Sequence, residues 1–201
     1  MKTKLLTLSI VTILLSACAP KNETIAINQS PRVTNSIPLN SSEMLSIINN
    51  FRATNKICRG AVKPLVWSKE LESVALEHSM DMAAHHKLSH LGSGSGYDIT
   101  ATKLKLNGGS TPVQRVIASG YPIYERMPIS ENITLNSKKD DRESLLTALE
   151  SFAKDPTHCQ ILISPKYQDV GAAYVLGADG KKYWTFNFAA QPKTKKAQIN
   201  F

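Results

Sequence analysis

The strongest constraint on the fold comes late in the chain. Asp169 to Leu176 and Lys181 to Ala189 read as two strands around Gly177-Ala178-Asp179-Gly180, a β-hairpin signal. In the second strand Trp184, Phe186 and Phe188 lie on one face, alternating with Tyr183, Thr185 and Asn187 on the other. The segments before this hairpin carry mostly helical spacing. Helices first and a sheet mostly late predict an α+β layered domain.

The helical part reads in order. Asn40-Ser41-Ser42-Glu43 is a capped helix start, followed by the stripe Met44, Ile47, Ile48 and Phe51. Arg52 to Gly60 is a loop carrying Cys58. Pro64 to Trp67 is extended, and Ser68 caps a second helix over about Lys69 to Lys87. Its buried face is Leu71, Val74, Ala75, His78 and Met82, where His78 reads as a hydrogen-bonded core histidine. Asp81 and His85, spaced i,i+4, read as a surface pair, and Ser89 to Gly92 ends the helix. Gly92 to Gly109 is glycine-rich and poorly periodic. Thr111-Pro112 opens a short helix that carries Val113, Val116 and Ile117 and is stopped by Gly120. Tyr121 to Pro128 is a loop, and the stretch after Glu131 is a short strand. Asp140 or Asp141 caps a helix with Leu145, Leu149 and Phe152 on one face. Asp155-Pro156 breaks it, and His158 to Ile163 is a last helical turn. No internal repeat is visible.

The N-terminus has the features of an export signal. Lys2 and Lys4 precede an apolar run, Leu5 to Leu15, too short to be a stable transmembrane helix. Leu15-Ser16-Ala17-Cys18 then resembles the lipobox of bacterial lipoproteins, which implies cleavage after residue 17 and lipid on Cys18. The alternative is an ordinary signal peptide containing a cysteine. Ala19 after the cysteine resembles the outer-membrane sorting pattern. The division expected is a signal peptide over 1–17, a lipidated, flexible tether over 18–40, one domain over 41–190, and a basic, frayed tail over 191–201. The implied location is a bacterial envelope, lipid-anchored in the outer membrane and facing the periplasm or the cell surface.

Without Lys2 and Lys4 the formal charge falls from +8 to +6. The basic residues are scattered among acids, apart from Lys193, Lys195 and Lys196, and no aromatic residues interleave with them. A nucleic-acid footprint needs a clustered stripe, so no nucleic-acid partner is expected. Of the 3 cysteines, Cys18 goes to lipid, and export to an oxidising compartment predicts a Cys58–Cys159 disulfide. Two buried free thiols are the alternative.

Chemistry concentrates in one stretch. Phe152 to Leu162 places Asp155, His158 and Cys159 within five residues, and His90, Glu131 and Cys58 are distant features expected to converge on it. His85 and His86 lack the His-Glu-x-x-His spacing of zinc proteases. Gly92-Ser93-Gly94-Ser95-Gly96 neither follows a strand nor opens a helix, so it is a weak phosphate cradle.

A series of short motifs then resembles one family. They are Phe51-Arg52, Pro64-Leu65-x-Trp67, Ala75-x-x-His78-Ser79-x-x-Met82-Ala83, Leu88-Ser89-His90, Gln114-Arg115-Val116 with Gly120-Tyr121, Ser130-Glu131-Asn132-Ile133, Asp155-Pro156-x-His158-x-x-Ile161-Leu162, Val170-Gly171 and Tyr183-Trp184. Their order is similar to the bacterial branch of the CAP superfamily, which holds the cysteine-rich secretory, antigen 5 and pathogenesis-related 1 proteins. The resemblance implies a three-layer α-β-α sandwich with a central antiparallel sheet. It also implies a shallow cavity with two histidines, His90 and His158, and two acids, Glu131 and Asp155. Phe152 stands where the family has tryptophan, and Ser130 where it has glycine.

Such a cavity is expected to hold a divalent cation such as zinc, weakly, as part of a non-catalytic ligand-binding or interaction module. A lipid, a sterol-like molecule or an envelope protein is the ligand the resemblance implies. The alternatives are metal-assisted hydrolysis with Glu131, His90 and His158 as acid–base groups, or a purely structural envelope domain.

Overall fold

The computed structural model describes residues 39–60 and 63–191. Cys18, the export signal and nearly all of the tether and tail expected above lie outside the described residues. Among the described residues no helix is long and apolar enough to cross a membrane.

Among the described residues six helices and four strands follow in the order α1 (Ser41–Thr54), β1 (Val66–Trp67), α2 (Lys69–His85), α3 (Ile99–Leu104), α4 (Pro112–Ala118), β2 (Ile129–Asn136), α5 (Asp141–Lys154), α6 (Pro156–Leu162), β3 (Asp169–Leu176) and β4 (Lys182–Ala189). The strands form one sheet ordered β1-β3-β4-β2. β2, β4 and β3 pair antiparallel, with Glu131 opposite Asn187 and Asn187 opposite Gly171. The short β1 pairs parallel to β3, so the sheet is antiparallel except at this edge.

Alternation along β4 feeds two apolar layers. Trp184, Phe186 and Phe188 pack with Met44, Ile48, Leu145, Leu149, Phe152 and Leu162. That layer joins the sheet to α1, α5 and α6, and each large side chain so buried contributes about 1.5–3 kcal/mol. On the opposite face Tyr183 and Val175 meet Met82 and Ala83 of α2. Leu71 and Val74 of α2 pack with Val116, Tyr121 and Met127. α2 lies so close to the sheet that a Cβ on Gly171 would come within 2.1 Å of the Glu72 backbone nitrogen. The result is the three-layer α-β-α sandwich.

Start signals agree with the structure. Asn40 and Glu43 form a capping box on α1, Ser68 caps α2, Thr111 and Gln114 box α4, and Asp140 caps α5. Several expectations change. α2 stops at His85 because His86 turns left-handed, with φ 50°. The glycine-rich stretch contains a helix, α3, started by Asp98. Asp81 does pair with His85, 3.3 Å from its Nδ1, but the acid is buried rather than on the surface and also accepts from Ser93 N and Ser93 Oγ, so it anchors a loop. On α4 the inward side is Arg115 and Val116, while Val113 and Ile117 face out.

The glycine-rich stretch has a physical reason for its composition. The Asp98 carboxylate accepts from Gly94 N, Ala101 N, Ser110 N and Ser110 Oγ. Its amides are thus directed at a protein acid. Gly109 runs against the Gly92 carbonyl, where a Cβ would lie 1.7 Å from the oxygen.

Candidate functional site

β2 positions the centre of the site. Its side chains alternate, so Glu131 and Ile133 face α2 while Asn132 faces α6. Glu131 therefore emerges beside His78 of α2, Arg115 of α4 and His90 of the segment after α2. Asn132 Nδ2 donates to the His158 carbonyl at 3.1 Å, which fixes α6 against the other side of the same strand.

Three basic groups surround the Glu131 carboxylate. His90 Nδ1 donates to Oε1 at 2.9 Å and Arg115 Nη2 to Oε2 at 2.9 Å. His78 Nε2 lies 3.8 Å from Oε1. The Glu131 side chain is only 1% exposed, whereas that of His90 is 49% exposed. Burial pushes the Glu131 carboxyl up, but the His90 hydrogen bond and the Arg115 charge outweigh it and hold it below the usual carboxylate range. With Nδ1–H donated to the carboxylate, Nε2 is the ring nitrogen left to offer a lone pair whenever the imidazole is neutral.

Arg115 is a hub. Its Nη1 donates to the Ser110 carbonyl and hydroxyl, and its Nη2 also reaches the His90 carbonyl at 2.9 Å. It thus ties α4, the glycine-rich segment and the His90 segment to β2. His78 donates from Nε2 to the Ser89 carbonyl at 2.7 Å, as a core histidine should. Its Nδ1 is buried without a partner. Burial depresses its basicity, with the Glu131 charge acting in the opposite direction.

His158 approaches from the other layer. Its ring lies 6.4 Å from that of His90 and 5.5 Å from that of Phe152, centroid to centroid. Asp155 both ends α5 and starts α6, accepting from His158 N at 2.9 Å. That hydrogen bond lowers the Asp155 acid range, with the nearby imidazole helping. Asp155 Oδ1 is 3.4 Å from His158 Nδ1. The disulfide between Cys58 and Cys159 ties the loop after α1 to α6.

Of the four residues expected to share a cavity, His90 and Glu131 are joined directly and His158 faces His90. Asp155 enters only through His158. The set does not fit a four-ligand zinc centre. Both Glu131 oxygens are engaged, one of them by a guanidinium, and Asp155 is spent on a helix cap. Among the described residues no group of three or more His, Cys, Asp or Glu is placed to hold a metal ion. Sequence reasoning gave Arg115 no role in the site and kept His78 apart from it. A charged residue beside Val116 in a short helix was the available signal, but the helix has too few turns to tell its inner face from its outer one.

The shifts predict a pH dependence with a definite sign. His78 binds its proton more readily unfolded, so the stability it contributes is present above its usual value near 6.5 and is lost as pH falls below it. Glu131 contributes stability above its usual value near 4.5 that is lost at still lower pH. Melting temperature should begin to fall below about pH 6.5 and drop more steeply below about 4.5. In a His78→Gln variant the first decline should disappear. A melting temperature independent of pH between about 7 and 4 would contradict both assignments.

The profile of the cysteine-rich secretory protein family, CAP, matches residues 45–188. No curated protein matches the chain. Among solved structures, an outer surface protein of Borrelia burgdorferi is 16% identical with a TM-score of 0.50, covering 75% of this chain and 89% of that one. An extracellular protein containing an SCP domain from Bacillus anthracis is 19% identical with a TM-score of 0.52. That match covers 78% of this chain and 45% of the Bacillus chain. At such identities the likeness is one of fold.

Proposed function

Since the chain belongs to the cysteine-rich secretory protein family, CAP, we propose that it is a non-catalytic ligand-binding or interaction module, with His90 and His158 as its working surface. The observation that carries this reading is the saturation of Glu131. A general base needs an accessible lone pair and a proton affinity near the working pH. Glu131 is buried, holds two hydrogen bonds from basic groups and is more acidic than usual. Its role is to orient His90, as carboxylates behind metal-binding histidines do. Cys159 is oxidised and offers no thiolate.

A divalent cation then meets two imidazoles, His90 and His158, and binds weakly. Calorimetric titration of the full-length chain with zinc should give weak uptake, lost in a His90→Ala/His158→Ala variant that still melts cooperatively. Glu131→Gln should weaken uptake about 10–100-fold, the usual cost of losing a supporting carboxylate. Tight zinc binding that survives the double histidine change would overturn the proposal. So would peptide hydrolysis that Glu131→Gln abolishes.

The module is anchored to a bacterial envelope through lipid on Cys18, displayed on the stretch before α1. The Leu15-Ser16-Ala17-Cys18 sequence supports this, as do the surface and extracellular descriptions of the two structural neighbours. Cys18→Ser should move the protein from the membrane to the soluble fraction. Retention of the variant on membranes would contradict lipid anchoring.

A further inference from the structure

We propose that the disulfide end of the domain is a docking surface for an anionic phospholipid membrane, with Ile57 at its tip. Ile57 is 61% exposed, although it is a large aliphatic residue in a braced loop. Asn55 Oδ1 accepts from the amides of Ile57 and Cys58, and Asn55 Nδ2 donates to the Cys58 carbonyl. The disulfide then fixes the loop to α6. A lone exposed aliphatic residue is ordinary on a protein surface, so its surroundings decide what it means.

Those surroundings are cationic. Residues 51–69 hold Arg52, Lys56, Arg59, Lys63 and Lys69 and no acid, and residues 156–168 hold Lys166 and no acid. The fold brings the two stretches together. Arg52, buried between them, donates to the Lys63 carbonyl and to the Leu162 carbonyl. A Cβ on Gly60 would come within 2.9 Å of Ile163 Cδ1. Gly60 and Lys166 also line one cavity of about 500 Å³. Lys56, Arg59, Lys63 and Lys166 are all exposed, and among the described residues none of them forms an ion pair. Arg59 spends only its Nε, on the Lys56 carbonyl. At the margins Lys154 offsets Asp155 and Lys69 offsets Glu70, while Glu72 is engaged by Trp67 and Ser41.

Unpaired cations around an exposed aliphatic tip match a bilayer interface. Anionic headgroups meet the cations, and the Ile57 side chain enters the acyl boundary. A free phosphate or an acidic solute would satisfy the charges and leave Ile57 in water. The contact is weak and screened by salt, so it sets which way the domain faces the bilayer. It does not by itself retain the protein through a salt wash.

Vesicle co-sedimentation of the Cys18→Ser protein tests this with no lipid on residue 18. Vesicles of phosphatidylcholine with phosphatidylglycerol should carry down more protein than phosphatidylcholine alone. Raising salt from about 0.05 to 0.5 M should release it. Each cation near the surface contributes about fivefold, so Lys56→Gln/Arg59→Gln/Lys63→Gln/Lys166→Gln should lower partition on the order of several hundredfold. Ile57→Ser should lower it several-fold and leave the salt dependence in place. Both variants should keep the parent's melting temperature, since only exposed side chains change. Equal charge loss elsewhere, Lys87→Gln/Lys103→Gln/Lys105→Gln/Lys139→Gln, should leave partition within a few-fold of the parent. Equal binding to neutral and anionic vesicles would overturn the proposal, as would parental binding by Ile57→Ser. So would a control that loses as much as the patch variant, the mark of net charge alone. Displacement by millimolar inorganic phosphate at constant ionic strength would mark a discrete phosphate site and overturn it too.

Discussion

Replacing Arg115 with leucine should destabilise the domain by about 3–5 kcal/mol, the cost of leaving one partner of a buried ion pair uncompensated. The Glu131 carboxylate would lose its buried guanidinium, and the Ser110 and His90 carbonyls would lose the same donor. Leucine cannot replace any of these hydrogen bonds. The double variant Arg115→Leu/Glu131→Gln should recover part of the loss, because the stranded charge is gone. Urea denaturation of the four proteins in this cycle measures the coupling. Additive losses would show that the pair is not a unit. Such a result would also mean that the Arg115 charge does not hold the Glu131 carboxyl in its acidic range.

Breaking the Cys58–Cys159 bond should cost about 4 kcal/mol in the chain-entropy view, since the bond closes a loop with a sequence separation of 101. Paired serine substitutions make the measurement without a reductant. The structural consequence should be local as well as global. Cys159 follows His158 on α6, and Asn55 holds the Cys58 carbonyl and amide in the loop after α1. Freed of the bond, α6 should hold the His158 ring less firmly, so the weak zinc uptake should fall along with stability. A serine variant with unchanged midpoint would mean that the packing of Leu162 and the hydrogen bonds from Asn132 and Arg52 suffice to fix α6.

Much of this architecture is legible in the residues. The hairpin, the caps at Asn40, Ser68, Thr111 and Asp140, and the two-faced pattern of β4 act over short distances, so local chemistry shows through. α3 was hidden because a six-residue helix has too few turns for periodicity, and its start depends on Asp98 gathering amides from Gly94 and Ser110. α4 has the same weakness. The sequence places Val113, Val116 and Ile117 in it without telling which way they face, and its inside belongs to Val116 and to Arg115, whose partners arrive from β2 and from the segment holding His90 and Ser110. Long-range pairing of this kind leaves little trace in local spacing. The site was legible in its composition and less so in its wiring. His90, Glu131 and His158 meet, whereas Asp155 works mainly as the shared cap of two helices.

One arrangement reaches beyond the site. β2 is the outermost strand of the sheet, yet Glu131, Asn132 and Ile133 at its middle are buried. The His90 segment closes on it from one layer and α6 from the other. A bare strand edge is a template for pairing with other chains. The residues that form the cleft therefore also cover the middle of the sheet's edge strand. Prying the two histidines apart would uncover that strand, so opening wide for a ligand would expose a template for pairing with other chains.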